Sequence, residues 1–259
     1  MLNSRVVNTI AIICLLGLLF SHKVLAYDIP FWCYVLPVLF YLPFTIHGAI
    51  RIEAGYFMNT WCEVDTSEKV VALTFDDGPL PEYTPLVLDI LQQENVPAAF
   101  FCIGKNIAGN EILLKRIYEE GHVIGNHTYS HHFWFDMKLS GKMLADMEEM
   151  DALTVNATGL TPRLFRPPYG VTNPNLARAV KAGNYLPIGW NIRSLDTIAK
   201  DEKQLLHRIT SQLKPGAIIL LHDTCKITAN ILPQLIGTIR EKGYRIERID
   251  KMLNVRAYV

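Results

Sequence analysis

Two adjacent carboxylates, Asp76-Asp77, close the apolar run Val70 to Phe75 and lead directly into Gly78-Pro79. Two imidazoles spaced by four, His127 and His131, follow further along the chain. Two histidines and one carboxylate make a three-ligand set that leaves a coordination position open for water or substrate, the form of a catalytic zinc site rather than a closed structural one. The other aspartate of the doublet places a carboxylate beside such a metal, where a general base is needed. Taken alone, Asp-Asp-Gly-Pro is equally a turn, since these residue types favour turns, and the histidines could be unrelated polar residues. The elements that carry them decide between the readings.

From Val70 onward, short β-branched or aromatic runs alternate with amphipathic stretches. The pattern predicts strands at Val70–Phe75, Ala98–Ile103, His122–Asn126, Arg163–Arg166, Leu186–Asn191, Ala217–His222 and Tyr244–Glu247. Helices are predicted between them at Pro85–Gln93, Glu111–Glu120, Lys142–Asn156, Asn175–Ala182, Glu202–Leu213 and Ala229–Lys242. Gly121, Gly243 and Pro215-Gly216 supply helix stops. Strands alternating with helices imply a parallel sheet. Asp76-Asp77, His127, Arg166 and His222 each close a predicted strand, and Asp196 lies shortly after the fifth. In parallel barrels the loops at that end converge on one pocket. Met143, Met147 and Met150, with Leu144 and Leu153, form a stripe at the spacing of one buried helix face and read as core.

Ahead of this domain lie two apolar runs. Val6 to Phe20 is short for a span and suits a signal-peptide core, with Val24-Leu25-Ala26 as a passable cleavage site. Ile29 to Ile50 carries no formal charge and is long enough to cross a bilayer. Its prolines, Pro30, Pro37 and Pro43, are tolerated in membrane helices. The organisation expected is a membrane anchor of one or two transmembrane helices over residues 1–58 and a catalytic domain over 59–259. The competing reading of the second run is a hairpin buried on the domain. Arg5, Lys23 and Arg51 flank the runs about equally, so charge does not choose the membrane side. The 25 basic and 25 acidic residues balance, which gives no footprint for nucleic acid. Five scattered cysteines lack zinc-type spacing and read as buried apolar residues rather than a disulfide framework.

Four segments together resemble a known family. Thr74-Phe75-Asp76-Asp77-Gly78, His127-Thr128-Tyr129-Ser130-His131, Arg166-Pro167-Pro168-Tyr169-Gly170 and Leu220-Leu221-His222-Asp223 are similar to the motifs of NodB-homology polysaccharide deacetylases, carbohydrate esterase family four. The match runs in order from about Lys69 to Glu247. The resemblance implies a distorted (β/α)7 barrel and metal-dependent removal of N-acetyl, occasionally O-acetyl, groups from amino-sugar polymers. It implies that Asp77, His127 and His131 bind the metal, usually Zn2+, and that Asp76 is the general base. Arg166 would pair with Asp76 and orient it, His222 would protonate the departing amine, and the backbone N–H of Tyr169 would help bind the developing oxyanion.

One motif departs from the family. Members commonly read Trp-Asp-Val-Asp-Ser-x-Asp-Trp where this chain has Trp190-Asn191-Ile192-Arg193-Ser194-Leu195-Asp196-Thr197. Asp196 remains and could orient His222 and tune its pKa. Asn191 and Arg193 replace carboxylates, and Thr197 replaces an aromatic sugar platform that Tyr129, Phe133 or Trp134 could supply instead. His132, beside a ligand, reads as a bystander. The expectation is a membrane-anchored N-deacetylase of an acetylated amino-sugar polysaccharide of the cell envelope, peptidoglycan or chitin-like, with the lipid bilayer as its other partner. Its rivals are an O-acetyl polysaccharide esterase, a lipid-linked sugar deacylase and a catalytically silent carbohydrate-binding protein. Silence fits poorly with retention of the ligands, the base and the acid together.

Overall fold

The computed structural model describes residues 3–259. It opens with a helical hairpin, α1 (Ser4–Lys23) and α2 (Trp32–Ile50), both long and apolar enough to cross a membrane, with only Val7 and Gly48 of their residues buried. The foot of the hairpin is tied to the rest of the chain. Ser4 N donates to Tyr56 O at 2.9 Å, and Thr172 binds the carbonyls of Gly48 and Ala49 through its hydroxyl (3.0 Å) and amide (2.9 Å). A Cβ on Gly48 would lie 2.2 Å from the Tyr56 ring, so only glycine permits this approach. Ile52 and Tyr56 are buried.

The body is built from β1 (Val70–Asp76), α3 (Thr84–Gln93), β2 (Ala99–Cys102), α4 (Gly104–Ile107), α5 (Glu111–Glu119), β3 (Val123–Asn126), α6 (Ser140–Thr158), β4 (Leu164–Phe165), α7 (Pro174–Ala182), β5 (Leu186–Pro187), β6 (Ile192–Arg193), α8 (Glu202–Thr210), β7 (Ala217–His222), α9 (Lys226–Glu241), β8 (Arg245–Ile246) and α10 (Ile249–Met252). Every strand pairing is parallel, in the order β5-β4-β3-β2-β1-β7-β6, with β8 beside the start of β1. Helices cover the convex face of this curled sheet, giving the distorted (β/α)7 barrel expected.

Side-chain alternation on β1 explains how the chemistry is aimed. Its odd residues Val71, Leu73 and Phe75 join the outer core with Val87, Leu88 and Leu91 of α3 and Leu232, Leu235 and Ile236 of α9. Each such side chain contributes ~1.5–3 kcal/mol by leaving water. Ala72 faces the other way, into the barrel, against Ala99, Phe101, Leu164 and Ile218. A period of two then carries Thr74 and Asp76 to the same inner face. On β7, Ile218 is inner and Ile219 and Leu221 outer, so His222 is inner too. The register sets Asp76 opposite His222.

The fifth expected strand is divided. Up to Ile188 the chain pairs with β4 through Ile188 N to Phe165 O (2.8 Å), and from Asn191 it pairs with β7 through Asn191 N to Ile218 O (3.2 Å). The residues between cross the barrel seam, so a single run of residues yields β5 and β6. The segment Trp61–Val64 fills the remaining gap, bonding to Pro187 and Gly189 on one side and Gly216 on the other. Met143, Met147 and Met150 are fully buried, as their spacing requires. All five cysteines are free, but only Cys62 and Cys102 are buried as expected; Cys14 is exposed and Cys33 and Cys225 are half-buried.

Candidate active site

The carboxyl ends of the strands bring Asp76, Asp77, His127, His131, Tyr169 and His222 around one pocket of about 180 Å³. Asp77 Oδ1 lies 3.5 Å from His127 Nε2 and 3.5 Å from His131 Nε2. Three ligand atoms on a tetrahedral ion with bonds of roughly 2.1 Å would stand about 3.4 Å apart, so both edges from Asp77 fit such an ion, and all three ligand atoms lie within 4.8 Å of one another. Asp77 Oδ1 is buried yet has no hydrogen-bond partner, a cost the fold bears only where something else satisfies it. His127 Nδ1 is bonded to the Arg166 carbonyl at 2.7 Å, which leaves Nε2 free to ligate and fixes the ring. The donor set is therefore suited to a divalent metal.

The electrostatics of Asp77 and His131 agree with that use. Burial alone would raise Asp77, but the close approach and charge of His127, with the charges of His131 and His222, hold it down at about 2. Burial and the neighbouring His127 charge lower His131 to about 4, so it is a neutral imidazole ready to ligate. His127 is shifted upward: burial opposes its charge, but Asp76 and Asp77 outweigh the burial.

Asp76 is held from behind. Arg166 is fully buried and donates to Asp76 Oδ1 at 2.6 Å, to Thr74 Oγ1 at 2.9 Å and to the Gly189 carbonyl at 2.9 Å, with its guanidinium 4.1 Å over the Phe101 ring. The other carboxylate oxygen of Asp76 lies 3.8 Å from His127 Nε2. On the neighbouring strand β7, His222 Nε2 stands 3.9 Å from Asp77 Oδ2. Its Nδ1 is bonded to Asp196 Oδ1 at 2.7 Å, and its backbone N–H donates to Asp196 Oδ2 at 2.7 Å. Asp196 itself is buried and receives Ser194 Oγ and Thr228 Oγ1. Burial disfavours the His222 imidazolium, but the Asp196 bond and charge, then Asp76 and Asp77, raise it to about 9.

Backbone strain gathers at the same place. Asp77 (φ 76°), Thr128 (67°), His131 (40°), Tyr169 (58°) and Leu195 (62°) are all left-handed without being glycine. Such conformations cost on the order of 1–3 kcal/mol and cluster at functional sites. Supporting residues absent from the sequence reading keep the loop in place. Asp146 on α6 accepts the Tyr129 and Ser130 amides at 3.0 and 2.9 Å, and Asn126 Oδ1 accepts the Thr128 amide at 2.7 Å. One signal existed for Asp146: a carboxylate on the buried methionine face of its helix. Trp190, Arg193, Leu195 and Thr197 complete the pocket wall.

The candidate sugar platforms part company. Tyr129 packs against the core beneath Gly104. Phe133 and Trp134 are exposed, and Phe133 stands 6.2 Å from the exposed ring of Tyr169, which in turn lies 4.8 Å from His131. His132 is exposed and accepts the Trp134 amide, a local turn contact.

Residues 63–188 match the family model described as polysaccharide deacetylase. A peptidoglycan-N-acetylglucosamine deacetylase of Bacillus cereus is 34% identical over 209 residues, covering 76% of this chain and 93% of that protein. The chain belongs to the polysaccharide deacetylase family. Two solved structures agree. A peptidoglycan N-acetylglucosamine deacetylase crystal structure superposes with a TM-score of 0.73 at 29% identity, over 76% of this chain and 94% of that one. The chitin deacetylase of the fungal pathogen Colletotrichum lindemuthianum gives 0.71 at 28% identity, over 78% and 94%. This polysaccharide deacetylase is thus a hydrolase acting on non-peptide carbon–nitrogen bonds.

Proposed function

We propose that this chain is a membrane-anchored, zinc-dependent enzyme that removes N-acetyl groups from an amino-sugar glycan of the cell envelope. Residues 1–58 would form the anchor and 59–259 the catalytic domain. The single observation that carries the reading is that a carboxylate and an imidazole both border the Asp77–His127–His131 triangle, Asp76 Oδ2 at 3.8 Å from His127 Nε2 and His222 Nε2 at 3.9 Å from Asp77 Oδ2. Relatives named for peptidoglycan and for chitin make an N-acetylglucosamine polymer the first substrate to test.

When bound by Asp77, His127 and His131, zinc supplies Lewis acidity at the acetyl carbonyl and lets water attack at neutral pH. Asp76, oriented by Arg166, takes the proton of the attacking water. The Tyr169 N–H, turned by a left-handed backbone, donates to the oxygen that gains charge. An amine leaves only once protonated, so His222 must carry a proton at working pH. Asp196 provides for this by favouring the imidazolium. Phe133 and Tyr169 offer exposed faces for a sugar ring in place of the aromatic that Thr197 replaces.

The test is acetate release from peptidoglycan fragments and chitooligosaccharides, before and after chelation, with zinc added back. Release that depends on zinc and exceeds release from O-acetylated xylan supports the reading. Release from O-acetyl esters alone would replace it with the esterase.

A further inference from the structure

A second, larger groove of about 750 Å³ adjoins the catalytic pocket and shares Tyr169, Trp190, Arg193 and Leu195 with it. Its lining also includes Ile50, the last residue of α2, and Arg51, Ile52 and Glu53 just after it. The groove therefore runs from the reacting centre to the place where α2 ends.

The groove is cationic. Arg51, Arg193, Arg208 and Lys214 line it against Glu53 and Glu63. Lys214 pairs with Glu63, which also accepts Asn191 Nδ2 at 2.8 Å, and Arg51 pairs with Glu53 at 3.2 Å. No carboxylate among the described residues pairs with Arg193 or Arg208. Arg208 Nε donates to the Arg193 backbone carbonyl at 3.1 Å, which holds the Arg208 side chain against the strand that carries Arg193. The Arg193 guanidinium lies 5.8 Å over the Trp190 ring, at the junction of groove and pocket. Both guanidiniums line the groove with no carboxylate on them, and their planar forks match phosphate. Arg193 also stands where the family motif commonly has a carboxylate, which reverses the charge at this point of the groove wall.

Resting on the N-deacetylase reading above, we propose that the substrate is an amino sugar joined through phosphate to a membrane lipid. Its phosphate would sit on Arg193 and Arg208, and its lipid would leave past Arg51 along the hairpin. The sugar's acetamido group would then reach the Asp77–His127–His131 site. A carboxylate of a lipid-free glycan could also meet the arginines. The groove's ending at the apolar hairpin favours the lipid phosphate, because a soluble glycan needs no route to that wall.

The test uses the zinc-loaded full-length chain in phosphatidylcholine vesicles. Acetate release is compared for N-acetylglucosamine oligomers linked by diphosphate to a polyprenol, the same oligomers free and neutral, and soluble peptidoglycan oligomers bearing carboxylates. The expected result is a kcat/KM preference for the lipid phosphate of roughly tenfold or more. In Arg193→Gln/Arg208→Gln that preference should fall at least roughly tenfold, to near parity, as expected for lost charged hydrogen bonds. Because the readout is a ratio on one protein, partial misfolding does not mimic it. Equal turnover of lipid-linked and neutral oligomers, or a preference for the carboxylate oligomers, overturns the inference and leaves the N-deacetylase intact. Should no substrate turn over, the deacetylase reading falls, and equal binding of a dodecyl phosphate and a dodecyl alcohol probe would overturn the groove assignment as well.

Discussion

Asp76 and Asp77 are neighbours in sequence with different surroundings, and those surroundings assign different work. Asp77 faces two imidazoles with an unpartnered oxygen, whereas Asp76 is gripped by Arg166. Changing Asp77 or His131 to Ala should abolish both zinc retention and turnover, read by elemental analysis and acetate release. Asp76→Asn and His222→Ala should keep zinc and lose ~10²–10⁴-fold in kcat, the usual worth of a positioned base or acid. A His222→Ala enzyme with near-normal turnover on an N-acetyl substrate would remove the acid assignment. The pH profile follows from His222, whose folded-state pKa is raised to about 9 by Asp196 first and by Asp76 and Asp77 after it. The required imidazolium is present below that value and lost as pH rises through it. A bound divalent cation opposes the contribution of Asp76 and Asp77, so the alkaline limb of the loaded enzyme should fall below 9 while staying above an ordinary histidine. Asp196→Asn should move the limb further down, and a limb that does not move would show that Asp196 does not set the proton on His222. The residue types here were legible because each closes a predicted strand. The left-handed backbones of Asp77, His131 and Tyr169 were not, since no residue type among them demands φ > 0.

At the scale of elements, Arg166 is the tie. From the end of β4 it bonds Thr74 and Asp76 of β1 and the carbonyls of Ile188 and Gly189, where the chain leaves β5. A lysine has one point charge and cannot span these acceptors. Arg166→Lys should therefore destabilise the fold by about 3 kcal/mol, within the range for breaking a buried ion pair, read by urea unfolding. A change under about 0.5 kcal/mol would mean the tie is not structural. The alternation of strands and helices was readable from composition and period. The division of the fifth strand was not, because it depends on which neighbour supplies hydrogen bonds on either side of Gly189-Trp190, a property of the closed barrel and not of the local run. Trp61–Val64 escaped notice for the same reason: it pairs only with residues far away in sequence. Asn191 shows the point in one residue, since its amide bonds Glu63 and its carbonyl oxygen takes the Ile218 amide.

For the whole molecule, the hairpin and the barrel share a boundary at Gly48–Tyr56. Full-length chain should pellet with membranes and resist alkaline carbonate, while a chain starting at Asn59 should be soluble and folded because it retains Trp61–Val64. Release of the full-length chain by carbonate would replace a spanning hairpin with a peripheral one. The apolar runs were plain in the sequence, but their docking through Thr172 was not, because it uses backbone carbonyls that any residues would supply. The central claim is that one zinc ion on Asp77, His127 and His131 makes the chain an N-deacetylase. It is tested most directly by titrating zinc into chelated protein while acetate release from N-acetylglucosamine oligomers is followed. Activity should be absent at the start and rise to a plateau at one equivalent of zinc per chain. Full turnover by protein shown to be metal-free by elemental analysis would contradict the account.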